Sequence, residues 1–128
     1  MRITSIHHIA IIASDYKKSK TFYTEVLGLR ILKETYREER DSYKLDLALG
    51  DQYLIELFSF PQHVPRSSRP EATGLRHLAF SVANVEEAVG ELRTKNVPVE
   101  DIRIDEITGK KFTFFSDPDH LPLELYEA

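Results

Sequence analysis

The chain has 128 residues, 41% of them hydrophobic and 30% charged, with a formal net charge of −4 and no cysteine. That describes one globular domain long enough to bury a core. The scattered charges argue against a nucleic-acid partner, the cysteine count excludes disulfide and thiolate chemistry, and no apolar run reaches the length of a membrane span. Met1-Arg2-Ile3-Thr4-Ser5 lacks the apolar core of a signal peptide, so a cytoplasmic protein is expected.

Residues 3–13 are β-branched and apolar and predict a strand. Asp15 then caps a helix running to about Leu27, with Phe22, Tyr23, Val26 and Leu27 on one face and Gly28 at the left-handed residue that ends it. A charged strand from Leu29 to about Glu38 and a turn at Glu39-Arg40-Asp41-Ser42 lead to a clear alternation, in which Tyr43, Leu45, Leu47 and Leu49 oppose Lys44, Asp46 and Ala48. Gly50-Asp51 turns the chain and Gln52 to Phe58 returns as the hairpin partner. The stretch from about residue 61 to 74, with Pro61, Pro65, Pro70 and Gly74, has no periodicity and reads as a linker.

After the linker the order repeats. Leu75 to Val82 predicts a strand, Asn84 with Glu87 forms a capping box, and Val85, Ala88, Val89 and Leu92 make an apolar helical face. Strands follow at Pro98–Ile104, Lys110–Ser116 and Leu121–Glu127, the last two joined by the turn Asp117-Pro118-Asp119-His120. The single domain 1–128 is thus two β-α-β-β-β modules, about 1–60 and about 75–128. The expected class is α+β.

Each module carries one His and one Glu in equivalent places. Glu56 lies 48 residues after His8, and Glu124 lies 47 after His77. Strand alternation sends Ile9, Ile11, Leu78, Phe80 and Val82 toward the helix of their module and the two histidines the other way. Glu56, flanked by Ile55 and Leu57, and Glu124, flanked by Leu123 and Leu125, leave the same helix-free face. Carboxylates among apolar neighbours such as Leu54, Phe58 and Tyr126 need a partner. A divalent cation satisfies all four groups. Imidazole with carboxylate suits zinc, nickel, iron, cobalt or manganese, and disfavours calcium and magnesium. Either pair alone reads as ordinary structure; two copies in register predict a metal site. His7 shares the parity of Ile9 and is expected to be structural or on the surface, and His63 and His120 to face solvent.

These modules, with His8-Ile9-Ala10-Ile11 and His77-Leu78-Ala79-Phe80 entering and Ile55-Glu56-Leu57-Phe58 and Leu123-Glu124-Leu125-Tyr126 closing, resemble the glyoxalase I / vicinal oxygen chelate superfamily. Phe22-Tyr23-Thr24-Glu25-Val26-Leu27-Gly28-Leu29 resembles its helix-end signature, and Phe115-Ser116-Asp117-Pro118-Asp119-His120 its final hairpin turn. The resemblance spans the chain and implies a curved eight-stranded mixed sheet with helices on its outer face, usually in a homodimer. It implies metal ligands His8, Glu56, His77 and Glu124, the His/Glu/His/Glu set of glyoxalase I. Fosfomycin-modifying and extradiol dioxygenase relatives use three protein ligands, and methylmalonyl-CoA epimerase relatives tend to have Gln at the position of Glu56. The implied activity is a metal-dependent lyase or isomerase working by proton transfer on a small hemithioacetal or α-hydroxycarbonyl substrate. Glu124 is the first choice of catalytic base and Glu56 the second. The alternatives are a thiol transferase, a ring-cleaving dioxygenase, or a non-catalytic binding protein of the resistance type. Ile12 and Phe60 stand where bacterial relatives use Arg and Asn to hold glutathione. Glutathione is therefore either held differently or replaced by another substrate.

Overall fold

A computed structural model describes all 128 residues. They divide into two compact units, Met1–Pro65 and Arg66–Ala128, with the boundary inside the expected linker. Each unit repeats the strand–helix–three-strand order. Unit 1 has β1 (Ile9–Ala13), α1 (Tyr16–Thr21), β2 (Arg30–Arg37), β3 (Ser42–Leu49) and β4 (Gln52–Ser59). Unit 2 has β5 (Leu78–Val82), α2 (Val85–Thr94), β6 (Arg103–Ile104), β7 (Lys111–Ser116) and β8 (Pro122–Glu127). The eight strands hydrogen-bond as two mixed sheets of four, in the orders β1-β4-β3-β2 and β5-β8-β7-β6. In both, the first strand runs parallel to the last and the rest are antiparallel. No helix is long and apolar enough to cross a membrane.

The helix caps are those read from the sequence. Asp15 Oδ1 accepts from Lys18 N at 3.1 Å and Asn84 Oδ1 from Glu87 N at 3.0 Å, filling amide donors that a helix start leaves without partners. The first helix is not uniform. Beyond Thr21 it widens into a π-helical turn, Phe22–Val26, and Leu27 N donates to Phe22 O five residues back. The wider turn still buries Phe22 and Tyr23. Gly28 follows at φ 74°, the left-handed conformation that glycine adopts without a Cβ clash.

Strand alternation holds along the middle of the sheets; at the ends of β3, Tyr43 and Leu49 are exposed, and between them Asp46 and Ala48, of the opposite parity, are buried. Ile11, Ala13, Leu45, Leu47, Ile55 and Leu57 are buried in unit 1, and Leu123, Leu125 and Phe115 join Val85, Val89 and Leu92 of α2 in unit 2. Ala10 and Ile12, on the other face of β1, are exposed.

Three strands are shorter than expected. β1 begins at Ile9 rather than residue 3, and Ile3 and Ile6 are exposed. Its one neighbour is β4, and the register that pairs Ile9 with Ile55 reaches the first residue of β4, Gln52, at Ile6, so Ile3 lies beyond the end of that strand and pairing itself stops at Ile9. β5 begins at Leu78 rather than Leu75. β6 is only Arg103–Ile104, because Pro98 supplies no amide and the segment after it is held instead by Glu100 N to Phe114 O and Thr113 Oγ1 to Glu100 O.

Candidate metal centre

His8 and His77 each stand one residue before a strand that runs parallel to the strand bearing the glutamate of the same unit. The parallel registers Ala10↔Glu56 and Ala79↔Glu124 put each imidazole, two residues earlier on the same parity, beside that carboxylate. His8 Nε2 is 3.7 Å from Glu56 Oε2, and His77 Nε2 is 3.0 Å from Glu124 Oε2. Both carboxylates are sheltered, with side chains 14% and 13% exposed. Each unit thus brings together its own half of the expected four. Neither unit by itself gathers three or more His, Asp or Glu side chains that could hold a metal ion.

The donor set fits a borderline divalent cation. Imidazole nitrogen and carboxylate oxygen both bind such metals at about 2.1 Å, so two of them at a right angle stand about 3.0 Å apart. The His77–Glu124 separation matches that spacing and the His8–Glu56 separation is wider. In both pairs the nitrogen facing the carboxylate is Nε2.

The two carboxylates differ in what else holds them. Around Glu56, Tyr53 OH lies 3.2 Å from Oε2 and donates to Asp46 Oδ1 at 2.5 Å. Lys44 Nζ is 3.5 Å from both Glu56 Oε2 and Asp46 Oδ1. Burial first, and then the bond to Asp46, push the Tyr53 phenol well above the ordinary tyrosine range, so it stays a hydrogen donor. Glu56 is therefore held by a cation and a phenol besides its histidine. Glu124 has no such partners. Across β7 it faces Phe114, whose ring meets the His77 ring edge-on at 5.2 Å.

His7 contacts both His8 and Tyr53, with Nδ1···Nδ1 2.8 Å and ring centroids 5.3 Å apart. It belongs to the edge of this cluster. His63 is exposed, with Nδ1 3.2 Å from Phe60 O, and His120 occupies a positive-φ turn position and is exposed.

Lys44, Asp46 and Tyr53 were not expected around Glu56. The alternation of β3 already placed Lys44 and Asp46 on its polar side, and the register Asp46↔Glu56 brings them across. Tyr53 is odd to Glu56's even and by simple alternation would face the core. A bulge prevents this. Leu47 pairs with Ile55 but Ala48 pairs with Tyr53, so Leu54 is an extra residue with no partner and Tyr53 turns to the Glu56 face. Leu54 accordingly does not take the paired place beside Glu56 that alternation gave it.

Residues 5–125 match the model of the Glyoxalase/Bleomycin resistance protein/Dioxygenase superfamily. YwkD of Bacillus subtilis (strain 168) is 63% identical over 99% of both chains. A glyoxalase family protein from Enterococcus faecalis, of known crystal structure, is 51% identical with a TM-score of 0.91, covering 99% of this chain and all of that one. A metallothiol transferase, FosB of Staphylococcus saprophyticus, is 31% identical over 97% of this chain and 77% of its own.

Proposed function

Because the chain belongs to the glyoxalase/bleomycin resistance protein/dioxygenase superfamily, we propose that it is a divalent-metal-dependent lyase or isomerase of the glyoxalase I type. Its small-molecule substrate is a hemithioacetal or α-hydroxycarbonyl compound. The observation that carries the reading is the repeated one, a His Nε2 set against a sheltered Glu Oε2 in each unit. His8, Glu56, His77 and Glu124 are the proposed ligands of one cation (Ni, Zn, Co, Mn or Fe), in a homodimer located in the cytoplasm.

When bound, the cation would polarise two adjacent substrate oxygens and stabilise the negative charge that develops on them. The chain's own residues do the rest. Glu124 Oε2 accepts the C–H proton from the hydroxyl-bearing carbon and returns it to the adjacent former carbonyl carbon, while the hydroxyl proton passes to the former carbonyl oxygen, so that the product is an isomer of the substrate. Glu56, tied to Lys44 and Tyr53, remains a fixed anion, and is the second choice of base. The apolar wall of Phe112 and Phe114 beside Glu124 keeps water from the transferred proton.

A second reading is a metal-dependent thiol transferase, favoured by the similarity to FosB. The test is turnover of the methylglyoxal hemithioacetals of several cellular thiols, on protein reconstituted in turn with nickel, zinc, cobalt, manganese and iron. Isomerisation with at least one metal is expected. Metal content below about 0.2 per chain after reconstitution, against the near-stoichiometric loading of a formed site, would sink the proposal.

A further inference from the structure

Arg37 is a cation on the face of the first sheet that carries Glu56, and it has no acidic partner. The registers Arg37↔Ser42, Thr35↔Lys44, Lys44↔Phe58 and Asp46↔Glu56 put it on that face. Its guanidinium carbon stands 4.8 Å from the Phe58 ring centroid and 5.7 Å from that of Phe60. Phe58 is two residues along β4 from Glu56, about 7 Å away. Arg37 Nη2 donates to Ser42 Oγ at 2.9 Å, and Nε is buried with no acceptor. Its acidic neighbours in the chain do not pair with it; Asp41 instead accepts from Tyr36 OH at 2.5 Å.

Unit 2 supplies an internal comparison. Arg103 lies over Phe112 and Phe114, at 5.0 and 5.6 Å, on the face that carries Glu124. Its Nη2 is neutralised by Glu100 Oε2 at 3.2 Å. The two units use the same arginine-on-aromatics packing, and only the first leaves the charge free. A part-buried guanidinium without a counterion and with an orphan N–H is a cost to folding. Stacking on two rings holds its plane and leaves its outer N–H groups fixed in direction.

We propose that Arg37 binds an oxyanion of the substrate, a carboxylate or a phosphate, on the Glu56 side of the site. This rests on the proposed function for where the substrate lies. A planar guanidinium presents parallel N–H bonds that match either oxyanion. Ile12 and Phe60 have no side-chain donor, and Lys44 is already set against Glu56 and Asp46. Lys33 shares the face across from Asp46 but is an exposed, flexible point charge, so Arg37 is the cation here whose N–H bonds are both held in direction by packing and free of an acid.

The test is binding to the full chain, followed by calorimetry and by the Arg37 Nε–H resonance. Two pairs of probes serve, all S-methylated so that no thiol reaches a metal. N-acetyl-S-methylcysteine is compared with its methyl ester, and S-methylpantetheine 4′-phosphate with S-methylpantetheine. The anion of at least one pair should bind three-fold or more tighter than its neutral partner, and should move the Arg37 resonance. Whichever pair shows it identifies the oxyanion. Arg37→Met, which keeps the stem over Phe58 and Phe60, should bring that ratio below three-fold; Arg37→Gln replaces it if the Met variant unfolds. A ratio below three-fold in both pairs, no binding at all, or a ratio that survives substitution overturns the proposal. Preference without turnover of any hemithioacetal would mean that the activity is wrong and the anion site right; turnover without preference would mean the reverse.

Discussion

Substituting the two glutamates one at a time should produce unequal losses, and the structure says which is larger. In Glu124→Gln the proton acceptor is removed from a position whose polar partner is His77 alone. A positioned general base contributes about 10²–10⁴ in rate, or about 2.7–5.4 kcal/mol at 1.36 kcal/mol per factor of ten. In Glu56→Gln the carboxamide oxygen keeps a donor atom for the proposed cation and stays beside the Tyr53 hydroxyl, 3.2 Å from Oε2 in the parent, and what is lost is the negative charge, toward that cation and toward Lys44 at 3.5 Å. That lysine is 33% exposed, so solvent screening holds the pair to about 0.2–1 kcal/mol, a factor of about 1.4–5. Measured at saturating metal, so that occupancy does not enter, kcat should fall at least a hundred-fold in Glu124→Gln and at least ten times less in Glu56→Gln. The assay is the loss of hemithioacetal absorbance with metal content measured on the same samples. Equal losses within about three-fold, or a larger loss in Glu56→Gln, would refute the assignment of the base and the reasoning from the two environments.

Two further substitutions test the hydrogen bonds of Tyr53 and Asn84. Tyr53→Phe leaves Asp46, only 7% exposed, without its phenol donor, and should cost about 1–3 kcal/mol in urea unfolding at pH 7. Because the phenol is held above its ordinary value in the folded chain, the folded state keeps that proton longer than the unfolded one. Its contribution is complete below the unfolded pKa of about 10 and declines as pH rises past it, so the alkaline loss of stability should be shallower in Tyr53→Phe than in the parent; an unchanged slope between about pH 9 and 11 counts against it. Tyr16 is raised in the same direction by burial and by Glu34, so part of the slope remains. Asn84→Ala removes the cap bond to Glu87 N and should cost about 1 kcal/mol by the same urea measurement; no change would mean that water replaces the cap.

Much of this protein is written in local periods. The repeat of a His before one strand and a Glu within another, the alternation that buries Ile55 and Leu57 and turns Glu56 away, and the caps at Asp15 and Asn84 depend on residues within a few positions of one another. They were legible without partners. Strand ends were not, because a strand exists only where another lies beside it. Ile3 and Ile6 have the composition of a strand and lie exposed outside the ladder, which starts at Ile9. The register across β3 and β4 was equally out of reach. A one-residue bulge at Leu54 turns Tyr53 to the carboxylate face, and cross-strand pairing sets Asp46 and Lys44 around Glu56 but Phe114 beside Glu124. Local pattern alone is enough to set His8 and Glu56, and His77 and Glu124, on one face of their sheets. Strand pairing makes the two carboxylates differ, one set beside a cation and a phenol and the other left to its histidine, because those neighbours come from separate strands.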